Sequence, residues 1–165
     1  MRRTALLALA STLLLAQAPK PDPFAPLRFL AGPWIGEGAG DPGKGSGQFS
    51  FRFDLDGRAL IRHSVADYPA QGGRPAVHHV DLLTTYAEGD ALRALYLDNE
   101  GHVIHYTVTA TAEGAAFLSE PGPGPRFRLT YRATGPNRVH IRFEIAPPGK
   151  PEAFVTYVEG TSTRS

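Results

Sequence analysis

The stretch 48-QFSFRFDLDGRALIRHSVADY-68 decides the architecture. Its first arm alternates strictly. Phe49, Phe51, Phe53 and Leu55 fall on one face, and Ser50, Arg52 and Asp54 on the other. Side chains along a strand alternate between its two faces, so this is a half-buried strand. Asp56-Gly57 is a hairpin turn, and 58-RALIRHSVADY-68 returns. The turn admits two registers. A two-residue loop pairs Leu55 with Arg58 and sets Leu60, Arg62 and Ser64 on the phenylalanine face, where Arg62 could hold an anionic ligand. A three-residue loop with Gly57 left-handed pairs Phe51 with Ile61 and Phe49 with His63. One residue of slip moves every side chain to the other face. The second register buries Ala59, Ile61 and Val65 and is the expectation.

The same grammar continues outward from this hairpin. The segments 76-AVHHVDLLTTY-86, 91-ALRALYLD-98, 102-HVIHYTVTAT-111, 115-AAFLS-119, 126-RFRLTYRA-133, 138-RVHIRFEIA-146 and 153-AFVTYVEGTST-163 are separated by short Gly-, Pro- or Asn-bearing turns. Short connections make sequence neighbours pair, which gives a meander of nine or ten strands. Such a sheet hides its apolar face and its edges by closing. The expected fold is therefore all-β: an antiparallel up-and-down barrel of about eight to ten strands. At the other end of the chain, Asp22, Pro23 and Gly32 frame a short helix near residues 23–31, expected to plug one end of the barrel. Phe24, Leu27 and Leu30 would share one of its faces.

Composition bounds the compartment and the chemistry. The first 18 residues, MRRTALLALASTLLLAQA, combine Arg2 and Arg3, an apolar run and a small-x-small ending. That is the form of a secretory signal peptide, so residues 19–165 are expected to be a single exported domain, periplasmic or extracellular. The run is too short to span a membrane. Without it, 17 basic and 16 acidic side chains become 15 and 16, a net charge of −1, which favours neither nucleic acid nor an anionic membrane as partner. There is no cysteine, which excludes disulfides, thiol nucleophiles and thiolate metal ligands.

With the barrel in place, 32-GPWIGEG-38 acquires a meaning. It resembles the Gly-x-Trp signature on the first strand of the calycins, the lipocalins and fatty-acid-binding proteins among them. The longer stretch 27-LRFLAGPWIGEGAG-40 is similar to the start of nitrobindin-like barrels and of a family of secreted bacterial calycin-like domains of unknown function. The latter also carry segments like 51-FRFDLDGRALIR-62 and a last strand like 157-YVEGTSTR-164. The resemblance implies a structural role for Trp34, packed across the closed end, with Gly32 and Gly36 letting the first strand bend. Nitrobindin-like proteins hold haem through a histidine near the C-terminus. Here the last strand has no histidine, and His140 alternates with Val139 and Ile141 onto the outer face. No haem or other cofactor is expected.

Two motifs are decoys. The run 38-GAGDPGKG-45 fits G-x-G-x-x-G and most of a P-loop, but both need a following helix to hold phosphate, and a strand follows. A loop between strands is expected there. His102 and His105 have a metal-like spacing, but on a strand they point to opposite faces. No metal site is expected.

The candidate cavity residues are Phe51, His63, His78, His102, Tyr106 and Tyr131. His78 is assigned inward with Val80 and Leu82, and His79 with Asp81 is assigned to an exposed face. No catalytic residue is assigned: there is no nucleophile elbow, and Ser64 and His63 face opposite ways. The expected function is non-catalytic binding of a small apolar or amphipathic molecule. The alternatives are an enzyme using the His/Tyr cluster, and an envelope protein with a filled barrel acting through its surface.

Overall fold

The computed structural model describes residues 21–165; the expected signal segment 1–18 lies outside the described residues. Ten antiparallel strands form one closed barrel: β1 (Gly32–Gly40), β2 (Gly43–Asp54), β3 (Ala59–Tyr68), β4 (Val77–Glu88), β5 (Ala91–Asp98), β6 (Val103–Thr111), β7 (Gly114–Ser119), β8 (Arg126–Gly135), β9 (Arg138–Ala146) and β10 (Val155–Arg164). Each strand pairs with its sequence neighbours, and β10 returns to β1 through pairs from Trp34↔Arg164 to Gly40↔Val158. The expected all-β up-and-down barrel is what forms. Among the described residues no helix is long and apolar enough to cross a membrane.

The turn after β2 takes a different form from the expected one. Asp54 pairs with Ala59, Phe51 with Arg62 and Phe49 with Ser64. This is the register of the two-residue alternative, although Leu55 and Arg58 leave the ladder and the loop widens to four residues. Leu55, Asp56 and Gly57 all adopt positive φ (50°, 55° and 83°), and the Asp54 carboxylate accepts the Leu55 N–H at 2.7 Å. Arg62 therefore faces inward and is buried, while His63 is exposed on the outside.

The same decision passes to β4, because directly opposed residues on paired strands share a face. Ser64 pairs with Asp81, Arg62 with Leu83 and His63 with Leu82. Asp81, Leu83 and Thr85 are consequently buried, and Leu82 is 42% exposed. The expected faces of β4 are thus inverted: Asp81 is interior, and His78 and Leu82 are not. Tyr106 of β6, Tyr131 of β8 and Val139 of β9, all expected inside, are buried.

The stretch 38-GAGDPGKG-45 is not a loose loop. The strands run on to Gly40↔Gly43, leaving only Asp41 and Pro42 to turn. The glycines of this hairpin serve the closing seam. A side chain at Gly36 would run into the Thr161 carbonyl and Ser162 of β10. Gly32, with φ of +112°, starts the first strand in a conformation that only glycine adopts readily.

A 3₁₀ helix spans Ala25–Leu30. Its three-residue period suits Phe24, Leu27 and Leu30, which are all buried in the core cluster with Phe51, Leu60 and Phe117. Asp22 accepts the Phe24 N–H at 2.9 Å and the Arg28 guanidinium at 2.8 Å. At its other end, Trp34 Nε1 donates to the Leu30 carbonyl at 2.8 Å and Arg164 Nη2 to the Phe29 carbonyl at 2.9 Å. Trp34 is 1% exposed, stacked on Phe49 and covered by the Arg164 guanidinium at 4.3 Å. The lone tryptophan therefore ties the helix, the first strand and the last strand together.

Candidate functional site

The barrel interior divides in two. Around Phe51, Phe117 and the 3₁₀ helix it is filled with apolar side chains. Toward the other end it opens into a cavity of about 880 Å³. That volume suits one small molecule. Ile104, Leu129, Phe127, Phe143, Ile145 and Val158 supply an apolar wall, and Phe127 stacks on Phe143 with centroids 5.9 Å apart. The opposite wall is polar and comes from β3, β4, β5 and the turn after β5.

Arg62 is the centre of that polar wall. It is 6% exposed, and its Nη2 donates to Asp81, itself 5% exposed, while Nη1 donates to the Tyr131 hydroxyl. A recess of about 190 Å³ beside Arg62 is lined by Gly36, Gly38, Gly45, Gly47 and Gly160. Burial pushes the Asp81 carboxyl up, but the Arg62 charge and the His79 contact outweigh it and hold Asp81 below the usual carboxylate range.

His79 links this pair to the rim. Its Nε2 lies 3.5 Å from Asp81 and 2.9 Å from the Tyr96 hydroxyl, and its Nδ1 lies 2.9 Å from Glu100. Tyr96 in turn donates to Asp98 at 3.1 Å, and Asp98 also holds the His102 ring at 2.8 Å and the backbone N–H of Glu100 at 3.0 Å. The Asp81 contact raises the His79 pKa to about 8, against the opposing effect of burial and with further help from Glu100. A histidine whose folded pKa exceeds its ordinary 6.5 adds stability that is whole below about 6.5 and is lost as pH rises through about 8. The melting temperature is therefore expected to fall between pH 6 and pH 9. His79→Gln should lose most of that dependence in parallel thermal scans. An equal fall in wild type and variant would show that another group titrates.

The sequence-assigned residues distribute as follows. Tyr106 lines the cavity, and His102 sits on its rim. Tyr131 lies beneath, in contact with Arg62. Phe51 is 2% exposed in the filled half and does not line the cavity. His78 is on the rim at the start of β4, with its side chain 61% exposed and bonded to Asp67 at 2.6 Å. His63 lies outside, opposed to Ser50 and Leu82. The interior polarity assigned to His63 and His78 is supplied instead by Arg62, His79, Tyr96 and Asp98. Their signal was the two-residue spacing of His79 and Asp81, which puts both on one face, and the alternative register that turns Arg62 inward. Among the described residues no three His, Asp or Glu side chains are arranged to hold a metal ion.

The fold is similar to that of a solved structure, Rv2717c from M. tuberculosis, with a TM-score of 0.62. The match covers 90% of this chain and 98% of that one at 14% sequence identity, so the likeness is one of fold alone. No protein-family model matches the chain, and no curated protein matches it in sequence.

Proposed function

We propose that this protein is an exported, non-catalytic barrel that binds one small amphipathic molecule at its open end. The observation that carries this reading is the cavity of about 880 Å³, with an apolar wall on β6, β8, β9 and β10 facing a polar wall on β3, β4 and β5. A filled barrel acting only through its surface leaves such a cavity unexplained. Binding is favoured over turnover because both ring nitrogens of His79 are engaged by carboxylates and by Tyr96. Burial also pushes the Tyr96 and Tyr106 phenols up, so neither supplies a base near neutral pH. Export rests on the N-terminal run MRRTALLALASTLLLAQA.

An uncharged fluorescent probe, N-phenyl-1-naphthylamine, tests the reading. Its emission should rise on binding the wild type. Ile104→Glu, inside the apolar wall, should weaken the probe about tenfold or more by placing a charge where apolar surface is buried. Leu82→Glu, on the outer face, should leave it unchanged. Equal responses to the two substitutions would place the probe outside the barrel and remove the proposal.

A further inference from the structure

We propose that the molecule bound in the cavity is uncharged and carries a carbonyl oxygen, which accepts a hydrogen bond from the Tyr106 hydroxyl. This rests on the binding reading above and deepens it. Two observations lead to it.

The first is that every charged side chain in the cavity wall already has its partner within the protein. In the depth, Arg62 is held by Asp81, and His79 by Glu100 at 2.9 Å. On the rim, His102 is held by Asp98 at 2.8 Å, Arg74 lies 3.9 Å from Asp41, and His78 is bonded to Asp67 at 2.6 Å. Among the described residues the wall's cations Arg62, Arg74 and His79 each already face a carboxylate, and the carboxylates Asp98 and Glu100 already accept hydrogen bonds, Asp98 from Tyr96 and the Glu100 backbone and Glu100 from the His79 ring. A charged ligand would give up its hydration and find no unpaired opposite charge, which makes its entry unfavourable.

The second observation is the opposite condition at Tyr106. This residue is 1% exposed, and its ring is fixed edge-on between Tyr96 and Phe117 at centroid distances of 6.4 and 6.3 Å. Among the described residues its hydroxyl has no hydrogen-bond partner. The fully buried polar atoms without a partner are Arg62 Nε and Thr85 Oγ1, sealed from any solvent-sized molecule, and the Tyr106 hydroxyl is not among them. The Tyr106 hydroxyl is not sealed; it opens on the cavity that the residue lines. A ligand that covered this hydroxyl without bonding to it would leave it unsatisfied, so a rigid hydroxyl with no protein partner, facing an amphipathic cavity, marks where the ligand's own polar atom is expected. Burial pushes this phenol up, so it stays protonated and acts as a donor. Two more tyrosines of the wall, Tyr68 and Tyr157, are likewise held protonated by burial. The wall thus offers neutral donors. A carbonyl on an apolar skeleton satisfies both conditions.

Isothermal titration calorimetry with three probes of equal chain length tests the inference: 2-undecanone, undecanoate and undecylammonium, all at pH 7. The ketone should bind at least tenfold more tightly than either ion. Tyr106→Phe removes a hydroxyl that bonds to nothing in the protein, so it should fold normally. It should cost the ketone about tenfold in affinity, the worth of one good hydrogen bond. Equal or tighter binding of either ion overturns the inference. So does a ketone affinity that Tyr106→Phe does not change. If the fluorescent probe still binds in those cases, the cavity reading stands and only the uncharged-carbonyl assignment falls. If the probe and all three compounds fail to bind, both fall.

Discussion

Replacing Asp81 by alanine is expected to cost the fold about 3–5 kcal/mol, the effect of leaving a buried charge without its partner. Asp81 and Arg62 are 5% and 6% exposed, and Arg62 reaches the carboxylate from the middle of β3. With the carboxylate gone, the guanidinium keeps only the Tyr131 hydroxyl, a neutral acceptor. The pair itself is a different matter. Bringing two charges out of water offsets most of what their attraction returns. The double variant Arg62→Met with Asp81→Leu should therefore recover most of the loss. Urea denaturation of the two single variants and the double measures this directly. A loss below about 1 kcal/mol for Asp81→Ala, the range of surface ion pairs, would mean that the pair is not interior.

Trp34→Ala is the second large effect, expected at about 3–5 kcal/mol from the cavity left by a fully buried indole. Three contacts go together. The stacking on Phe49, at 6.1 Å between centroids and 13° between planes, is lost. The Arg164 guanidinium loses the ring beneath it at 4.3 Å, and the Leu30 carbonyl loses its 2.8 Å donor at the end of the 3₁₀ helix. Trp34→Phe keeps an aromatic ring but not the donor, and should retain roughly half of the stability at issue, an intermediate that pure volume loss would not give. Chemical denaturation followed by far-ultraviolet circular dichroism reports both variants without relying on indole emission. Losses under 1 kcal/mol would remove Trp34 from its structural role.

These two sites also show which parts of the molecule can be read from the chain. The strands were legible because their signal is local. In 138-RVHIRFEIA-146 or 126-RFRLTYRA-133, alternation alone says which face is buried, and Val139, Leu129 and Tyr131 are buried accordingly. The helix was legible for the same reason, since Asp22, Pro23 and the three-residue spacing of Phe24, Leu27 and Leu30 lie within one short stretch. The register after Asp56-Gly57 was not. Counting apolar side chains favours Ile61 inward over Arg62, because the local count treats an arginine as a cost. What reverses the count is distant: Asp81 lies 19 residues away and Tyr131 lies 69 residues away. An ion pair formed across strands has no trace in the alternation of either strand. Once Arg62 turned inward, β4 had to follow, and the same slip moved His78 out and His79 in. The polar half of the candidate site was therefore hidden by one register choice, while Tyr106 and the apolar half, set by β6, β8 and β9, were not.

The open half of the barrel, and not its outer surface, is expected to receive the small amphipathic molecule. The chain offers a clear alternative, because Leu82, Leu97 and Val103 form a row across β4, β5 and β6 on the outside and are 42%, 40% and 61% exposed. Isotope-filtered nuclear Overhauser spectroscopy on methyl-labelled protein with bound N-phenyl-1-naphthylamine separates the two. Cross-peaks are expected from the probe's aromatic protons to the methyl groups of Ile104, Leu129 and Ile145, which line the cavity. Cross-peaks to Leu82, Leu97 and Val103 instead would contradict that placement.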